Sequence, residues 1–119
     1  MQKKEQQNLL DFYPSTSMEW IINDQERVVL LKPRFKSRWA ERLFVPRFTS
    51  KHIKITLDQY GSWIWQRING EQTIMAIGEQ LLAEFGEEIE PVYERLGMFI
   101  KLLLRNKFIT IELKEQSNE

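Results

Sequence analysis

Apolar residues recur along this chain with two periods, and the change from one to the other marks its elements. Met18, Trp20 and Ile22 alternate with Glu19, Ile21 and Asn23, and the polar run Asn23-Asp24-Gln25-Glu26 precedes a second apolar segment, Arg27 to Lys32. Period two broken by turn residues predicts a β-hairpin, and Pro33 stops its second strand. His52 to Leu57 then alternates strictly, with Ile53, Ile55 and Leu57 on one face. This predicts a third strand that runs directly into helix.

From Asp58 onward the spacing is helical. Asp58 is placed to cap a helix whose inward residues are Tyr60, Trp63, Ile64 and Ile68, and the Asn69-Gly70 pair is placed to end it. Thr73 caps a second helix with Ile74, Ile77, Leu81 and Phe85 on one face and Gly86 as its stop. A third follows Pro91, with Val92, Leu96, Phe99, Ile100 and Leu103 along one side and a polar break at Asn106. Ile109, Ile111 and Leu113, alternating with Thr110, Glu112 and Lys114, predict a closing strand. Trp63 and Trp65 point about 200° apart on a helix, so one of them is expected near the surface.

Between the second and third strands, Arg34 to Lys51 fits neither neighbour. Phe35, Trp39 and Leu43 are four apart and Arg34, Lys36, Arg38 and Arg42 lie between them, the pattern of a short basic amphipathic helix ended by Pro46. The expected order is strand, strand, basic connection, strand, three helices, short strand. That order predicts an α+β, winged-helix-like fold: a small antiparallel N-terminal sheet packed on three helices. Residues 1–17 are expected to be a flexible leader and 114–119 a flexible tail, with one domain from 18 to 113 carrying the insertion at about 34–51.

The chain has 119 residues, 42% hydrophobic and 29% charged, which suits one folded domain. Its formal net charge is zero, which argues against binding nucleic acid through bulk electrostatics, and it contains no cysteine for thiol chemistry or disulfides. No signal-peptide core and no membrane-length apolar run appear, since Lys101 interrupts the longest one. A cytoplasmic protein is expected.

The inventory for catalysis is thin. His52 is the one histidine, and the sequence has neither a Gly-rich phosphate loop nor a G-x-S-x-G motif. The acidic group Glu84, Glu87, Glu88, Glu90 and Glu94 reads as solvated carboxylates near a helix start rather than a cation site. No enzyme activity, no cofactor and no metal site are expected of this chain alone.

One longer string is distinctive: L-D-x-x-G-x-x-I-W-x-x-I-N-G-x-x-T-I, from Leu57 to Ile74. Together with Met18-Glu19-Trp20 and Val28-Val29-Leu30-Leu31-Lys32-Pro33, it resembles the PqqD family, the pyrroloquinoline quinone biosynthesis D proteins and their relatives. The resemblance runs from about Met18 to Ile111. It implies a non-catalytic recognition domain that binds the leader of a ribosomally made precursor peptide and presents it to a modifying enzyme, commonly a radical S-adenosylmethionine enzyme.

In that family the leader adds as a strand to the sheet edge, beside a groove between the third strand and the third helix. Carried over by position, the resemblance implies peptide-binding residues Ile53, Lys54 and Ile55 from the strand and Arg95, Phe99 and Leu103 from the helix. The long connection Arg34 to Lys51 departs from the tight turn usual there and puts the site in doubt. A homodimer is also open, because an edge that accepts a peptide can accept a second copy.

Two other readings compete. The helices at Thr73 and Pro91 can be read as the pair of a winged-helix DNA-binding regulator, although Glu90 and Glu94 at the start of the reading helix would face phosphates. The basic Phe35, Trp39 and Leu43 segment can be read as a membrane-surface patch.

Overall fold

The structure is a computed structural model that describes residues 8–33 and 52–114. The expected basic helix of the Arg34 to Lys51 connection lies outside the described residues. The architecture is α+β: strands β1 (Tyr13–Thr16), β2 (Trp20–Ile22), β3 (Val28–Pro33) and β4 (His52–Thr56), helices α1 (Gln59–Trp65), α2 (Ile74–Phe85) and α3 (Val92–Arg105), and strand β5 (Ile109–Glu112). The chain divides into two compact units. One is residues 18–62, and the other joins residues 1–17 to 63–119.

The 18–62 unit is built on a three-stranded antiparallel sheet in the order β2-β3-β4. Its hairpin forms where the alternation placed it, with Trp20 opposite Leu30 and Ile22 opposite Val28. Asn23 makes the turn: its Oδ1 accepts from the backbone N–H of Gln25 (2.9 Å) and of Arg27 (3.0 Å), the local bonding that suits asparagine to turns. Asp58 caps α1 as expected, its carboxylate accepting from the Gly61 N–H at 2.8 Å. Ser62 then links helix to sheet. Its Oγ accepts from the Val28 N–H (2.8 Å) and donates to the Leu57 carbonyl (3.2 Å).

The other unit carries the remaining helices. Thr73 caps α2 through the Ala76 N–H at 3.1 Å, and Gly86 ends it with φ +65°. Ile74, Ile77 and Leu81 from α2 and Val92, Leu96, Ile100 and Leu103 from α3 are buried, as the periodicity predicts, whereas Phe85 and Phe99, expected in the same stripes, are half-buried. Gly78 allows α2 and α3 to approach closely: a Cβ there would stand 2.4 Å from Cε1 of Tyr93. The inward face of α1 differs from the expected one: Trp65, which the spacing left out, is 1% exposed, whereas Tyr60 and Trp63 are half-buried, the Trp63 ring lying edge on to Phe85 with the Arg67 guanidinium 3.6 Å above it.

Two further expectations need correcting. α1 ends at Trp65, not at Gly70, because Arg67 and Ile68 donate back three residues, to the Ile64 and Trp65 carbonyls, and tighten the chain into a turn. Gly70 has the expected left-handed backbone, φ +81°, but uses it to aim its N–H at the Pro14 carbonyl (2.7 Å).

The second correction concerns the leader. Leu9–Asp11 form a 3-10 turn and β1 pairs antiparallel with β5, Pro14 opposite Ile111. Structure therefore begins well before Met18. At the other end, Lys114 donates to the Gly70 carbonyl (2.8 Å) and lies over the Tyr13 ring.

Candidate functional site

In the 18–62 unit both outer strands of the sheet, β2 and β4, are edges among the described residues, and β4 carries the residues that the resemblance implies. Among the described residues, β4 pairs with β3 on one side and with no strand on the other. The register fixes which backbone groups lie there. Leu57 donates to the Val28 carbonyl at 2.8 Å, and Leu30 lies opposite Ile55, so the backbone groups of residues 53, 55 and 57 point toward β3. Those of His52, Lys54 and Thr56 point away from it. Such a row is a template for another strand.

The side chains of β4 follow the alternation. Ile53 is 41% exposed and Ile55 half-buried on one face, while Lys54 and Thr56 are exposed on the other. His52 shares that second face with Glu19, Nε2 to Oε1 3.9 Å. An exposed pair this long contributes little to stability. The three strand residues singled out by the resemblance, Ile53, Lys54 and Ile55, therefore sit together on an edge strand.

The three helix residues lie on α3 in the other unit. Arg95 is exposed and donates from Nη1 to the Glu88 carbonyl at 3.0 Å. Phe99 is half-buried one turn further on, and Leu103 is 2% exposed and belongs to the buried stripe of the helix. Two residues that the reading of the sequence passed over stand out beside them: Met98, 72% exposed, and Leu102, 49% exposed. With Phe99, Lys101 and Arg105 they line a shallow groove of about 350 Å³.

Asp58 is committed to its cap, and Glu84, Glu87, Glu88, Glu90 and Glu94 are exposed. No group of three or more histidine and carboxylate side chains there is arranged to hold a metal ion. No described helix is long and apolar enough to cross a membrane. Burial, and then the negative charge of Glu79, hold the Tyr93 hydroxyl above the ordinary value of 10.0.

These features define a small α+β domain in which, among the described residues, β2 and β4 are the edge strands of the three-stranded sheet. Residues 19–109 match the family model described as Coenzyme PQQ synthesis protein D (PqqD), and the chain belongs to that family. Its members are non-catalytic accessory proteins that bind peptide and work with partner biosynthetic enzymes. No curated protein and no solved structure gave a significant match to the chain.

Proposed function

We propose that this protein captures the leader of a ribosomally made precursor peptide by strand addition to β4 and presents it to a modifying enzyme of the radical S-adenosylmethionine type in the cytoplasm. The observation that carries the reading is the outward-facing backbone of Lys54 and Thr56 on a strand with no second strand partner among the described residues. Strand addition takes affinity from main-chain hydrogen bonds and selectivity from alternate side chains, so it requires no reactive residue in the carrier. Ile53 and Ile55 offer apolar contacts to such a strand, and Lys54 the opposite face. Arg95, Phe99 and Leu103 are the helix residues that the family resemblance adds to the proposal, Arg95 as the cation for an acidic leader residue. Any cluster or nucleoside chemistry resides in the enzyme. The family match lends the duplex-binding alternative no support.

The test separates backbone from side chain at one position. Lys54→Ala keeps the outward N–H, whereas Lys54→Pro removes it without touching a bond to β3. With both variants shown folded by circular dichroism, capture from a lysate of the source organism should enrich the same short precursor peptide on wild type and on Lys54→Ala. Lys54→Pro should lose it. Equal enrichment by a folded Lys54→Pro variant overturns edge addition.

A further inference from the structure

The face of α3 that looks away from its buried stripe is neither apolar nor evenly charged, and its pattern selects an occupant. Met98 and Leu102 are one turn apart and form an exposed apolar pair, and Lys101 and Arg105, also one turn apart, run beside them. From Lys101 to Lys107 the sequence KLLLRNK carries three cations and no carboxylate. Within α3 the one carboxylate is Glu94, in the first turn at the opposite end. None of the described carboxylates lies within ion-pair distance of Lys101 or Arg105. An apolar pair bordered by cations at the same pitch matches a second helix bearing apolar side chains at i and i+4 with carboxylates beside them.

We infer that this face of α3 docks an acidic amphipathic helix of a protein partner, with Phe99, also proposed for the leader, at the groove's border. Leu102 and Met98 take the partner's apolar side chains, and Lys101 and Arg105 take its carboxylates. The groove admits one or two side chains rather than a whole interface. That limits the complex to the transient end of the range, which suits a carrier that must release what it presents. A second copy of this chain is the weaker fit, because two such patches face to face would set Lys101 and Arg105 of one copy against the same cations of the other.

The probe is a fluorescein-labelled, end-capped helical peptide with leucines at i, i+4, i+7 and i+11 flanked by glutamates. It is compared with its lysine counterpart and with a proline-broken copy. Anisotropy should show saturable binding of the glutamate helix to the intact protein, with Kd on the order of 10–100 μM, weakening with salt. The broken and lysine peptides should bind at least roughly tenfold more weakly. Lys101→Glu/Arg105→Glu should reverse the preference toward the lysine helix, a reversal that partial unfolding does not produce, and Leu102→Ser should weaken both. Lys54→Pro should leave this binding unchanged, so its failure and that of the edge reading are distinguishable. Equal binding of both charge types, indifference to the charge reversal, or no saturable binding of the glutamate helix overturns the inference. So does self-association in sedimentation velocity that Leu102→Ser abolishes, which would give the face to a second copy.

Discussion

Two glycines in adjacent helices illustrate how opposite the same substitution can be. Both Gly78 in α2 and Gly97 in α3 sit inside helices, where alanine is favoured by about 0.5–1 kcal/mol. At Gly97 an added Cβ meets nothing within 4 Å, so Gly97→Ala should raise stability by about that amount. At Gly78 the methyl would enter the Tyr93 ring, 2.4 Å from Cε1 and 3.1 Å from Cζ, and the overpacking cost of roughly 1–3 kcal/mol should outweigh the helical gain. Urea unfolding of the two variants should therefore shift the midpoint in opposite directions. Repeating Gly78→Ala in a Tyr93→Ala background should remove most of its penalty, because the two residues act on one contact.

At the scale of elements, the joint between β3, β4 and α1 rests on the Ser62 hydroxyl, which stands where a ladder bond between Val28 and Leu57 would otherwise close. Ser62→Ala should leave the buried Val28 N–H without its acceptor and lower stability by about 1–3 kcal/mol in equilibrium unfolding. Ser62→Thr retains the hydroxyl and should cost less. This joint was not legible in the sequence, where Ser62 is one small polar residue among helical ones. What was legible had a local cause. Asn23, Asp58, Thr73 and Gly86 each act through backbone groups within a few residues, and the buried residues of α2 and α3 follow from a 3.6 period.

Gly70 and β1 were misread for the opposite reason, since both are set by partners far away in the chain. Tyr13-Pro14-Ser15-Thr16 has no apolar alternation, and its proline reads as a turn. Pro14 is tolerated because Ser17 donates to the Phe108 carbonyl, a register in which the Pro14 nitrogen faces away from β5. The candidate site divides along the same line. The alternation of Ile53, Lys54 and Ile55 gave the edge strand, whereas Met98 and Leu102 fell on the side of α3 that a search for the buried stripe ignores.

For the molecule as a whole, the N-terminal segment belongs to the unit formed by residues 63–119, although 45 residues separate them in sequence. Four cross-strand pairs join β1 to β5, and the Phe12 and Pro14 carbonyls accept from Ile74 and Gly70, so the segment also steadies the entry to α2. A chain begun at Met18 would keep every residue of the 18–62 unit and remove only this closure. At about 0.2–1 kcal/mol per cross-strand pair, its loss should lower stability by roughly 1–4 kcal/mol. The bared β5 edge should also raise the tendency to aggregate. Hydrogen exchange checks where the damage falls: protection should drop first at Thr110 and Glu112, whose N–H groups face β1 in this register, and at Ile74, while β3 amides remain protected. Equal loss of protection in β3 and β5 would mean that the two units unfold as one, and that the terminal strand holds the whole molecule rather than the unit it pairs with.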